Sequence, residues 1–275
     1  MSPLEECWRR IDRAHTHCTA FVTGWNLLLE DDSYTFGAEM KDERTGVVHA
    51  SLITPIRHEL SLELGEFFYQ IRAALDGAVY RAVMLKRGSE QITGINRLDF
   101  PVCMDISKFD TAALHKNPFP DKLREWIEHV QPYYAGKTPE EAEISAFLHI
   151  LHDCARKDRH RQLHLVAAVP QDLGGIINVP APARITHVKG IGGNLLEKKC
   201  ELFEFGIQDT FPGMNINLNG KFTIQVSIDE IPGAVGEQVV KTLLRIEAVA
   251  KLAVKRFEEE FEVGANQLAP PSLSV

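Results

Sequence analysis

Apolar residues recur at spacings of three and four over much of the first 160 positions, then give way to alternation. Leu4, Trp8, Ile11, Ala14, Cys18, Phe21 and Trp25 trace one stripe and predict a helix over residues 4–29. After Asp31-Asp32-Ser33, residues 34–41 and 47–53 read as strands joined through Glu43-Arg44-Thr45-Gly46, a hairpin signal. Pro55 suits the first turn of a second helix, which runs to about Lys86 and stops before Gly88. Residues 88–119 carry little regular pattern beyond a short helix near 107–115. Pro120-Asp121 opens a helix through Val130, ended by Pro132. Thr138-Pro139-Glu140-Glu141 is a strong helix start: Thr138 caps, Pro139 suits the first helical position and Glu141 completes a capping box. That helix continues to Asp158 or Arg161.

Beyond it the period becomes two. Strands are expected at 163–169, 183–189, 199–205 and 214–228, with Gly190–Asn194 read as a hairpin turn and Asn219-Gly220 as the strongest two-residue hairpin signal in the chain. A last helix, about 234–262, places Val235, Val239, Leu243, Ile246, Ala250, Val254 and Phe257 on one stripe. The expected fold is a single α+β domain over residues 1–263, with long helices packed on one face of a mostly antiparallel sheet, and a loose tail over 264–275.

Composition changes this picture little. Of 275 residues, 44% are hydrophobic and 25% charged, enough apolar material for a sizeable core. The formal net charge of −8 argues against a dedicated nucleic-acid binder. No stretch reaches the roughly 20 apolar residues that span a bilayer, and no basic-then-apolar leader opens the chain. Five scattered cysteines fit a reduced, cytoplasmic protein.

Charge inside apolar runs is the informative exception. Arg72 and Asp76 lie one turn apart in the second helix, beside the face formed by Leu64, Phe68, Ile71, Leu75, Val79 and Ala82; Glu63, Gln70 and Arg81 fall opposite, toward water. Asp158 and Arg161 extend the apolar face of Phe147, Ile150, Leu151 and Cys154. If the two faces pack together, Arg72 meets Asp158 and Arg161 meets Asp76. Buried charge is costly unless paired, so the cluster reads either as a structural staple between helices or as a polar pocket. On the other side of the later helix, His149, His152, Asp153, Arg156 and His160 share about a third of the circumference, and His164 follows. His149 with His152, and His160 with His164, have the spacing of metal ligands, although no HExxH or cysteine pair accompanies them; a solvated polar face is the plainer account. Cys154 is a thiol on an apolar face, where a core role is commoner than a nucleophilic one.

Arg72-x3-Asp76, Phe100-Pro101, Gln131-Pro132-Tyr133 and Asp158-Arg159-His160-Arg161, in that order, resemble a family of uncharacterised bacterial and phage proteins whose last motif reads Asp-Lys/Arg-His-Arg. The resemblance covers residues 60–170 and implies no particular reaction. Many of those proteins carry a histidine just after the first aspartate, where this chain has Gly77. Arg159-His160-x3-His164 is also similar to the motif of HEPN-type ribonucleases, which act across a dimer. That similarity implies acid–base cleavage, with His160 or His164 moving the proton and Arg156 or Arg159 holding phosphate.

Two functions follow as expectations. One is a non-catalytic binding or regulatory protein whose charged network fixes a helix pair. The other is an acid–base enzyme: His160 carries the proton, Asp158 or Asp76 orients it, and Arg72, Arg161 and Arg156 hold an anion. No cofactor is expected outside a divalent metal at the histidines. No membrane partner is expected, nucleic acid only under the ribonuclease reading, and a homodimer is compatible with both.

Overall fold

A computed structural model of the chain describes residues 2–30, 34–87, 91, 94–160, 165–168, 176–191, 195, 196, 199–219, 225–228 and 239–268. Among the described residues six α-helices are formed: α1 (Glu5–Glu30), α2 (His58–Lys86), α3 (Ile106–Asp110), α4 (Asp121–His129), α5 (Pro139–His160) and α6 (Val239–Leu268). The strands are β1 (Tyr34–Met40), β2 (Thr45–Leu52), β3 (Leu165–Ala168), β4 (Ile176–Asn178), β5 (Arg184–Gly190), β6 (Leu195–Leu196), β7 (Lys199–Gln208), β8 (Asn217–Asn219) and β9 (Gln225–Ile228). The fold is α+β, and every pairing among the described strands is antiparallel. The chain divides into two compact units, one drawn from residues 1–20, 63–162 and 242–275, the other from 21–62 and 163–241.

The first unit is helical. Along α1 and α2, His17 Nδ1 lies 2.8 Å from Glu63 Oε2 and Arg10 Nη1 lies 3.4 Å from Gln70 Oε1, so these segments run antiparallel. Glu63 and Gln70, expected to face water, instead line this seam. The expected apolar face of α2 is buried as read, but Phe67, Ala74, Ala78 and Val83 are buried too, so most of the helix circumference is core. Gly77 sits where α1 crosses closely: a Cβ there would stand 3.2 Å from Cys7 Sγ. Any side chain there would crowd the Cys7 sulfur. Against α6, Trp8 Nε1 donates to Glu258 Oε1 (2.9 Å), and the nearly inaccessible Glu247 is held by His15 (3.0 Å) and Lys251 (2.6 Å).

The second unit holds the sheets. Four strands run in the order β1-β2-β7-β5, beside a three-stranded β6-β3-β9 set and the β4-β8 pair. The β1–β2 hairpin is in register from Tyr34↔Leu52 to Met40↔Gly46. Asp42 closes its turn, its carboxylate accepting from the N–H groups of Arg44 and Thr45 at 2.8 Å each, an Asx-turn. Gly46 is required because the fully buried Phe205 ring occupies the space a side chain would take.

Most expected elements stand, with local differences. Helix α2 starts at His58 rather than at Pro55; residues 55–57 carry no regular secondary structure. Strands β4 and β6 are too short to show alternation. The Asn219-Gly220 turn lies partly outside the described residues, and its flanking strands pair elsewhere, β8 with β4 and β9 with β3. The Gly190–Asn194 turn and residues 269–275 of the tail also fall largely outside them. Among the described residues no helix is long and apolar enough to cross a membrane.

Candidate functional site

Arg72 and Asp76 grip one residue of the loop that follows α2. The Asp76 carboxylate accepts the Phe100 N–H at 2.9 Å, while the Arg72 guanidinium donates to the Phe100 carbonyl. The two side chains also pair with each other (3.1 Å), and Asp99 stands 3.6 Å from Arg72. Both main-chain groups of Phe100 are thus satisfied by side chains one helical turn apart, an arrangement that i,i+4 spacing permits. Burial raises the Asp76 pKa; the Arg72 charge and the Phe100 N–H oppose this, Asp99 adds to it, and the result is a net rise.

The next stretch of the loop is fixed from the other side by Gln131, which is fully buried at the end of α4. Its Oε1 accepts from Cys103 N–H (2.8 Å), and its Nε2 donates to the carbonyls of Pro101 (2.9 Å) and Ile127 (2.8 Å). The carbonyl of Gln131 in turn accepts from Ser145 of α5 (3.2 Å). Nearby, burial pushes the Tyr133 hydroxyl pKa up to about 12, helped by Glu128 and Asp110. Arg72, Asp76, Phe100, Pro101, Gln131 and Tyr133, singled out as separate motifs, therefore belong to one neighbourhood.

Asp158 does not join them. Its carboxylate lies against Gly65 of α2, close enough that a Cβ at Gly65 would stand 2.5 Å from Oδ1. Gly65 precedes Arg72 by seven residues, about 10 Å along a helix axis, and among the described residues the ion pairs of Arg72 are with Asp76 and Asp99. The expected Arg72–Asp158 staple is replaced by the Arg72–Asp76–Asp99 cluster. Helices α2 and α5 do meet, and Asp158 does continue the face of Cys154, but the contact is carboxylate on glycine. Burial and the neighbouring Glu66 raise the Asp158 pKa, and no described residue offers it a salt bridge. Arg161 and His164, and the side chains of Arg159 and His160, lie outside the described residues, so the Arg161–Asp76 pairing does too.

On the polar face of α5, Asp153 is shared between His149 (4.0 Å) and Arg156 (3.7 Å). His152 also lies on this helix. Among the described residues no three His, Cys, Asp or Glu side chains are grouped as metal ligands would be. Cys154 is wholly buried, which pushes its thiol pKa far up and makes it a core residue. All five cysteines are free.

A cleft of about 360 Å³ lies on the α4 side of the loop. Leu123 and Trp126 of α4, Glu141 of α5 and Arg256, Glu259 and Glu260 of α6 line it. Trp126 is packed edge-to-face with Phe100, centroids 6.4 Å apart, so the residue gripped by Arg72 and Asp76 also supports the wall of this cleft. His129 is nearly buried there, between Glu125 (3.8 Å) and Glu141 (3.4 Å), with its ring over Tyr134. The capping box holds Glu141 still: Oε2 accepts from Lys137 and Thr138 N–H at 2.8 and 3.2 Å, and Glu141 N–H donates to Thr138 Oγ1 at 3.2 Å. Burial works to raise the Glu141 pKa, but those N–H groups and His129 outweigh it and hold it below the ordinary value. The sequence signalled the capping box, yet Trp126, His129 and the α6 carboxylates carried no motif.

Comparison with protein families, with curated proteins and with solved structures finds no match for this chain.

Proposed function

We propose that this is a non-catalytic binding protein whose charged cluster on α2 braces a binding surface and does no chemistry. The observation that carries this reading is the use of Arg72 and Asp76: both are committed to the main chain of Phe100. A general base must reach a substrate proton, whereas Asp76 Oδ1 is taken by the Phe100 N–H and by Arg72; one Arg72 donor, Nη1, is buried without a partner. Fixing Phe100 fixes the ring behind Trp126, and so the wall of the cleft. Thermal melts of Arg72→Ala and Asp76→Ala test this. A bracing pair loses stability when truncated, whereas catalytic groups are often replaceable at no cost in stability, or with a gain. Unchanged or higher melting temperatures refute the reading.

One observation favours a second reading, an acid–base enzyme, HEPN-like or another hydrolase. Asp158 is half-buried with a raised pKa, a short way before His160 and Arg161 on the chain. Carboxylates perturbed in this way concentrate at functional sites. On this reading His160 moves the proton, and Arg161 and Arg156 hold the anion. Incubation with single-stranded RNA decides it: cleavage by the wild type that His160→Ala abolishes without lowering the melting temperature supports catalysis. No cleavage, or cleavage that survives the substitution, removes the ribonuclease form.

A further inference from the structure

The cleft beside Trp126 has the size and chemistry of a small-molecule site. Its volume of about 360 Å³ falls within the roughly 300–1,000 Å³ that such sites span. Its lining combines an apolar surface, Leu123 and Trp126, with convergent charge. Glu125, Glu141, Glu259 and Glu260 face two cations, Lys122 and Arg256, an excess of two negative charges. Arg256 is already drawn to Glu259 (3.6 Å), and Glu141 is spent on the start of α5 and on His129. Glu125, whose side chain is 68% exposed and only loosely paired with His129 (3.8 Å), and Glu260 remain as the carboxylates to meet a ligand. An aromatic wall beside accessible carboxylates suits a cation carrying apolar bulk, since the ring face and the negative charge attract the same group. An anion would meet the same carboxylates as repulsion.

We infer that this cleft binds an organic ammonium compound, with its apolar arm on Leu123 and Trp126 and its ammonium group between Glu125 and Glu260. The inference rests on the binding-protein reading and gives that reading a ligand class. His129 has a positioning part: lodged between Glu125 and Glu141, it separates the exposed carboxylate from the structural one.

Isothermal titration of the full chain with phenethylammonium chloride tests it, with sodium phosphate as the counter-probe. The expected result is saturable, one-to-one binding of the amine. Glu125→Gln and Glu260→Gln each weaken it by about three-fold or more, and Trp126→Leu by about ten-fold, with phosphate inert. Trp126 also packs on Phe100, so Trp126→Leu is informative only if it melts like the wild type; the two Glu variants alter accessible carboxylates and keep the test decisive without it. Affinity unchanged in both Glu variants overturns the inference, as does the absence of saturable amine binding. Phosphate binding that Lys122→Ala or Arg256→Ala removes overturns the ammonium class while leaving a binding protein. Failure of the α2 brace shows separately, in the melts of Arg72→Ala and Asp76→Ala.

Discussion

Replacing Asp76 separates two contributions that the structure superimposes, the carboxylate charge and its acceptor oxygen. Asp76→Ala removes both. The Phe100 N–H is then left without its partner, a loss of about 1–3 kcal/mol when the group is buried. Arg72, with only 12% of its side chain exposed, keeps Asp99 at 3.6 Å as its nearest counter-ion. Breaking a fully buried pair costs about 3–5 kcal/mol, but Asp76 retains 32% of its side-chain surface, and solvent screening reduces that figure. A combined loss of about 2–3 kcal/mol follows, or about 4–12 °C in melting temperature for a cooperative unfolding unit of this size. Asp76→Asn keeps an oxygen for Phe100 and removes a charge whose burial outweighs its attraction to Arg72, so it costs less, about 1 kcal/mol.

The pH dependence has a definite sign. The folded-state pKa of Asp76 is raised, so the folded protein binds its proton more tightly than the unfolded chain does. The stability from that proton is present below the unfolded pKa and lost as pH rises through the folded value. The deficit of Asp76→Asn relative to wild type therefore shrinks as pH rises over that window. Circular-dichroism melts of the three proteins from pH 4 to 8 make the measurement. Equal melting temperatures for Asp76→Ala and wild type refute the brace. Equal losses for Ala and Asn refute the assignment of the effect to the Phe100 hydrogen bond.

Three further outcomes follow. Glu247 is nearly inaccessible, yet its pKa is lowered: burial works against the charged form, but Lys251 and His15 outweigh it. Glu247→Gln should therefore destabilise at neutral pH, and urea titrations should show the gap closing as pH falls from the unfolded pKa through the depressed folded one. Gly65→Ala displaces the Asp158 carboxylate at a cost of about 1–2 kcal/mol; Asp158→Ala in the same chain should recover most of it, because the added methyl group then meets no carboxylate, and strictly additive melts would refute the contact. Gly46→Ala forces the buried Phe205 ring aside at about 2–3 kcal/mol, and Phe205→Leu should relieve it in the same assay.

The sequence disclosed most of the helices because their apolar stripes are long, and it disclosed the start of α5 because a capping box is a local chemical statement. It also marked Arg72, Asp76, Phe100 and Gln131 as unusual. It did not disclose their partners. Register between two helices depends on how side chains of different bulk interlock, and here Gly65 admits Asp158 two turns before Arg72. The binding partner of Arg72 came instead from residues 99–100, a stretch without periodicity whose main chain carries the contact. Main-chain acceptors have no sequence signature. The cleft was hidden for a related reason: Trp126 and Glu260 lie on helices far apart in sequence and each is unremarkable on its own stripe, while Glu141 was marked only as part of a helix start.

The brace and the cleft share Phe100, and this predicts a coupling. Asp76 and Arg72 hold its main chain, while its ring stands edge-to-face with Trp126 at 6.4 Å. Such ring pairs contribute about 0.5–1.5 kcal/mol beyond area burial, and losing half of that order in Trp126 costs an amine ligand about two- to three-fold in affinity. Asp76→Ala should therefore weaken phenethylammonium binding by about that factor at a temperature where the variant is fully folded. Gly46→Ala lies in the sheet unit and provides the control: it costs comparable stability and should leave amine affinity unchanged. If both variants weaken binding equally, general loosening explains the loss. If Asp76→Ala alone does so, the path from α2 through Phe100 to the cleft is the cause, and the charged residues inside α2 act through the loop they hold.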